Sequence, residues 1–102
     1  MKTLTKIFPI LAILFSFQMS HAQTGTLRGY VYDDASGETI LFGNVYVDEL
    51  ATGTTTDLDG AYSLEMAPGN YTLVFSYLGY SDLTIKDVII TVDDVTTLDA
   101  RI

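Results

Sequence analysis

Asp57-Leu58-Asp59-Gly60 stands between two short strand-like runs, Gly53-Thr54-Thr55-Thr56 and Ala61-Tyr62-Ser63-Leu64. A tight loop of this kind wants its last residue in the left-handed backbone region, where glycine alone sits without steric cost. The Asp57 carboxylate can accept backbone N–H groups two residues on and so hold the turn. Past it, Tyr62 and Leu64 share one face of a strand, with Ala61, Ser63 and Glu65 on the other. The stretch predicts a central hairpin in an all-β domain, with Asp57, Asp59 and Gly60 as its structural corner.

Asp-x-Asp-Gly also occurs inside calcium loops, and that reading fails on its ligands. With Gly60 at loop position 6, position 1 falls on Thr55 and position 12 on Met66. Those positions require an acidic residue and a bidentate glutamate. No metal site is predicted.

At the start of the chain, Lys2 and Lys6 precede an almost unbroken apolar run from Ile7 to Phe17. The run is far shorter than the roughly 20 residues a membrane-spanning helix needs. Ser20 and Ala22 then place small residues at the −3 and −1 positions of a cut before Gln23. This three-part pattern predicts a cleavable signal peptide over residues 1–22 and an exported domain over residues 23–102. No cysteine lies near the cut, so no lipid anchor is expected there.

Export changes the charge balance that matters. The only histidine, His21, lies in the signal segment, and residues 23–102 keep three basic residues, Arg28, Lys86 and Arg101. All 13 acidic residues remain, giving a net charge of −10. That balance excludes nucleic acid and an anionic membrane surface as partners, since both require clustered lysine and arginine. Direct membrane insertion by residues 23–102 is not expected. With no cysteine in the chain, the domain has no disulfide and relies on its packed core.

Strand patterning fills the rest. Leu27, Gly29 and Val31 alternate with Arg28, Tyr30 and Tyr32, and Asp33 to Glu38 is rich in turn formers. Val45 to Val47 is a second short run. Pro68 and Gly69 mark a corner before Tyr71, whose spacing resembles the tyrosine corner of Greek-key sandwiches, where the phenol reaches back to the backbone. Asn70-Tyr71-Thr72 formally matches a glycosylation sequon, but asparagine's tolerance of unusual backbone angles is the simpler reason for it. The buried parity switches at Lys86-Asp87, which predicts a bulge or a strand boundary. Val95 to Ile102 reads as the last strand. About seven short strands and no sustained helical period predict a Greek-key β-sandwich.

Catalytic chemistry is poorly supplied. Without histidine or cysteine in residues 23–102, the usual proton shuttle and thiolate nucleophile are missing. The pairs Asp33/Asp34, Asp48/Glu49 and Asp93/Asp94 fall in predicted turns, with no nucleophile beside them. No catalytic, cofactor or metal residues are assigned. Tyr30, Tyr32 and Tyr46 fall on strand faces opposite the apolar set, and an exposed tyrosine strip can stack on sugars or meet a partner. The plainer role for such rings is cross-strand packing.

Taken in order, six segments resemble a known family: Gly29-Tyr30-Val31-Tyr32-Asp33, Ser36-Gly37-Glu38, Gly43-Asn44-Val45-Tyr46-Val47, Gly53 to Leu64, Pro68 to Leu73, and Ser76 to Tyr80. Together they resemble the carboxypeptidase regulatory-like domain, a transthyretin-like (prealbumin-like) sandwich, over residues 26 to 102. Gly43 stands where the family has the alanine of an Ala-Asn-Val motif. A signal peptide followed by this domain is similar to the N-terminus of TonB-dependent outer-membrane receptors. The resemblance implies a non-catalytic accessory domain in nutrient uptake, located in the periplasm at the outer membrane. Its implied partners are the receptor plug and barrel or an energy-transducing periplasmic protein. The alternative is a free-standing periplasmic or secreted module that binds carbohydrate or peptide.

Overall fold

Along β1 (Gly25–Tyr32), Gly25, Leu27, Gly29 and Val31 turn inward while Arg28 and Tyr30 face solvent. The same alternation shapes β2 (Asn44–Val47), where Val45 and Val47 are buried, and β5 (Gly69–Ser76), where Tyr71, Leu73 and Phe75 are buried. The computed structural model describes residues 23–102. The expected signal peptide, residues 1–22, lies outside the described residues. The remaining strands are β3 (Thr52–Thr55), β4 (Ala61–Met66), β6 (Leu83–Ile90), β7 (Val95–Thr97) and β8 (Ala100–Arg101).

Two sheets form the sandwich. In sheet one β1 is central, antiparallel to β4 on one side and parallel to β7 and β8 on the other. Sheet two runs β3-β2-β5-β6 and is antiparallel throughout. Between them Leu27, Val31, Tyr62 and Met66 from sheet one meet Val45, Val47, Leu73, Phe75 and Ile90 from sheet two. The Tyr62 ring stands edge-on to Phe75, with centroids 5.7 Å apart and planes at 69°, a favourable aromatic geometry that ties the sheets together.

The central hairpin expected around Asp57 is instead a corner between the sheets. β3 pairs with β2 and β4 pairs with β1, so the chain crosses the sandwich at residues 56–60. The local turn is as its residues dictate. Asp57 Oδ1 accepts the N–H groups of Asp59 (2.8 Å) and Ala61 (3.0 Å), and Gly60 has φ +78°. What redirects the chain is Thr56. Its buried hydroxyl donates to the Ile40 carbonyl at 2.6 Å and accepts the Gly43 N–H at 2.8 Å, fastening the crossover to the loop before β2. Gly60 then presents its carbonyl to Val31 N–H, and β4 continues along β1.

Three other features resolve along the chain. The corner before β5 closes on Ala67-Pro68, and Gly69 already pairs with Ile90 in the ladder. There the Tyr71 phenol donates to the Ala67 carbonyl at 2.7 Å. Asn70 is also part of β5, with no left-handed backbone to explain it, and its amide meets Asp87 Oδ1 at 3.4 Å. The parity switch is a bulge, since Tyr71 faces Val88 but Leu73 faces Ile85, and Asp87 has φ +60°.

The final run is two short strands rather than one, making eight among the described residues. Between them the Leu98 carbonyl dips inward beneath Gly29, where an added Cβ would stand 1.9 Å from it. The Tyr62 phenol donates to that carbonyl, and the Asp99 carboxylate takes the Tyr30 N–H at 2.9 Å. Side chains thus complete a ladder that the main chain leaves open.

Candidate functional site

The outer face of sheet one carries the densest set of groups suited to recognition. Tyr30 and Tyr32 project from alternate positions of β1, with ring centroids 6.2 Å apart. The Arg101 guanidinium lies 5.0 Å from the Tyr32 ring centre, in reach of its π face. Arg28 stands beside Ser63 on β4 and Thr97 on β7 by strand register. An open depression of about 710 Å³ runs over this face, lined by Arg28, Tyr30, Asp57, Ser63, Thr97 and Asp99 among others. Two of the three basic residues in residues 23–102 therefore sit on one aromatic face of a strongly acidic chain.

Tyr46 is not part of that surface. It lies on β2, at the outer face of sheet two, over a second depression of about 510 Å³ formed with Asn44, Asp48, Val74 and Ser76. The single tyrosine strip expected from alternation is thus divided between opposite sides of the sandwich. Alternation fixes which residues face outward, but the crossover from β1 to β2 decides which outward face they join.

One acid of each pair holds backbone. Asp33 Oδ1 accepts the N–H groups of Ala35 and Ser36, and its Oδ2 accepts the Tyr80 phenol at 2.6 Å. These bonds, the Tyr80 phenol foremost, hold its carboxyl below the ordinary aspartate value, and the same bond pushes the Tyr80 phenol up. Glu49 takes both the N–H (2.7 Å) and the hydroxyl (2.8 Å) of Thr72, filling the ladder position where β2 turns away. The Thr72 N–H is the main reason its carboxyl is held below the usual range. Asp94 accepts the N–H of Val95. Asp57 spends an oxygen on its own turn, as described above. Carboxylates used in this way shape loops.

Three fastening positions carry little sequence signal. Thr56 is one of three consecutive threonines, and nothing in the run marks it as the buried one. The hydroxyls of Tyr62 and Tyr80 find partners at sequence separations of 36 and 47 residues. Only an apolar strand position bearing a hydroxyl hints that Tyr62 needs an acceptor inside.

Residues 27–101 match the model of the CarboxypepD_reg-like domain. The TonB-dependent receptor P39 of Formosa agariphila is 34% identical over 87% of this chain and 10% of its own length. TonB-dependent receptor SusC of Bacteroides thetaiotaomicron is 37% identical over 70% of this chain and 7% of its own length. The chain therefore spans a tenth or less of these curated relatives. Among solved structures, a candidate carbohydrate binding protein from Bacteroides uniformis superposes with a TM-score of 0.57 at 15% identity. That alignment covers 74% of this chain and 40% of the other, and it supports the fold.

Proposed function

Since the chain belongs to the CarboxypepD_reg-like domain family, we propose that it is a non-catalytic interaction domain from the N-terminal side of a TonB-dependent outer-membrane receptor. In this reading residues 1–22 direct export, and residues 23–102 face the periplasm and serve nutrient uptake by docking against a receptor plug and barrel or an energy-transducing partner. The observation that carries it is the match to TonB-dependent receptors over 87% of this chain but only 10% of the relative. A module repeated at one small part of much larger transport proteins is suited to contact rather than chemistry. The commitment of Asp33, Glu49, Asp57 and Asp99 to backbone donors supports the same reading.

In the native host, deleting the codons for residues 27–101 tests it. Growth on at least one polymeric nutrient should fall, and the tagged chain should fractionate with the outer membrane. Unchanged growth on every nutrient, with the chain recovered from the cytoplasm, would remove the proposal. A second reading, glycan contact, is favoured by Tyr30 at the 710 Å³ depression, with Tyr32 and Arg101 beside it on the same face. Saturable glycan binding lost on Tyr30→Ala would support it on sheet one, and loss on Tyr46→Ala would move it to sheet two.

A further inference from the structure

Three loops gather at the end of the sandwich where β1 and β8 finish. They are residues 33–43, 56–60 and 77–82, and named contacts hold them together. Phe42 N–H donates to the Thr56 carbonyl, Thr56 Oγ1 bridges Ile40 and Gly43, and the Tyr80 phenol reaches Asp33. Asp34 N–H donates to the Ile102 carbonyl, which ties the last residue to the same end. On these fixed loops stand Leu78, Leu58 and Phe42, exposed to 94%, 72% and 58%.

None of the three belongs to the core, and each sits at a hydrogen-bonded turn. Leu58 rides the Asp57–Gly60 turn. Phe42 adopts φ +59°, an unfavourable conformation for a bulky residue that points to a functional demand. Leu78 precedes Gly79, whose φ is +89°, in a turn closed by Tyr80 N–H on the Tyr77 carbonyl. Around these tips lie Asp33, Asp34, Glu38, Asp57, Asp59 and Asp82, and the three loops contain no lysine or arginine.

We propose that this loop end is a docking surface for a protein whose contact patch has an apolar centre and a basic rim. The charge decides the occupant. A second copy of this chain would set acid against acid, and an anionic membrane would repel the same six carboxylates. A basic rim satisfies them while Leu58, Leu78 and Phe42 fill the apolar centre. This rests on the reading of the domain as an interaction module, not on its place within a receptor.

An NMR titration of the protein with two synthetic peptides of equal length and leucine content, one lysine-rich and one glutamate-rich, tests the surface directly. The lysine peptide should shift the amides of residues 41–43, 57–60 and 77–80, and bind about tenfold more tightly than the glutamate peptide. Its affinity should fall in high salt and drop about tenfold in the Leu58→Ser, Leu78→Ser double variant, whose unaltered circular dichroism would report an intact fold. Equal binding of both peptides, or shifts confined to the outer face of sheet one, would overturn the proposal. So would binding to phosphatidylglycerol vesicles through these loops, or self-association abolished by the double variant. The titration needs no transport activity, so its failure is distinct from an unchanged growth phenotype.

Discussion

The two sheets are put together differently. In sheet two, β2/β3 and β5/β6 are neighbours in sequence, and each ladder is antiparallel. In sheet one no pair is adjacent in sequence. β1 waits for β4, then for β7 and β8, and the last two join it in parallel. Non-local pairing must overcome more chain entropy before any contact rewards it. Sheet one meets that demand with side chains, through Tyr62 on the Leu98 carbonyl, Asp99 on the Tyr30 N–H and the space left by Gly29. Distant pairing is fastened here by side chains tied to backbone.

The sharpest way to break this contrast is Gly29→Ala. Its methyl would meet the Leu98 carbonyl at 1.9 Å, a backbone atom with no flexible end to yield. A loss of about 3 kcal/mol or more is expected in urea unfolding. Hydrogen exchange should show β7 and β8 losing protection while the β5/β6 amides keep theirs. Uniform loss across both sheets would end the distinction.

Tyr62→Phe comes next, leaving the Leu98 carbonyl without its donor at a cost of about 1–3 kcal/mol. This variant also carries a pH signature. Burial first, and the Asp99 charge second, push the Tyr62 phenol far above its ordinary value. The folded-state value is the higher one, so the stabilisation is complete below the ordinary tyrosine pKa of about 10 and is lost as pH rises through the native value. The alkaline arm of the stability profile should flatten in Tyr62→Phe, and an unchanged arm would remove this role.

Glu49→Gln probes the fastening of β5 by Glu49 in sheet two and should lower the melting temperature less than Tyr62→Phe. Here the sign is reversed. The native carboxyl is held low by Thr72, so its contribution is present above the ordinary glutamate range and disappears as pH falls toward the native value. The wild type should therefore lose more stability on acidification than the variant. Smallest of all is Gly43→Ala, where the new methyl meets Cγ2 of Ile40 at 3.3 Å, a contact relieved by a shift of a few tenths of an ångström. A change within about 0.5 kcal/mol is expected by thermal melting, which would make this departure from the family motif neutral.

The comparison also explains what the sequence could express. Alternation at Leu27–Tyr32 and Tyr71–Phe75 marks inward and outward faces because strand geometry has period two. Turn chemistry at Asp57–Gly60 and the parity switch at Lys86-Asp87 are equally local. The partner of each strand is not. The same Asp-Leu-Asp-Gly turn serves a hairpin or a corner, and Thr56, which makes it a corner, bonds to residues 13 and 16 positions back. Tyr30, Tyr32 and Tyr46 face outward as alternation requires, but their division between two faces depends on a crossover that alternation does not encode.

One consequence of the parallel pairing concerns force. β1 enters the sandwich at one end, and β8, beside it in parallel, leaves at the other. Tension applied between Gln23 and Ile102 would slide β1 along β7 and β8, straining their hydrogen bonds all at once. An antiparallel pair of terminal strands pulled the same way would open bond by bond, like a zip. Single-molecule pulling should therefore find a higher yield force between the two ends than across the β5/β6 hairpin, and equal forces would refute the idea. A domain tied this way resists traction along the very axis on which its neighbours in a polypeptide would pull.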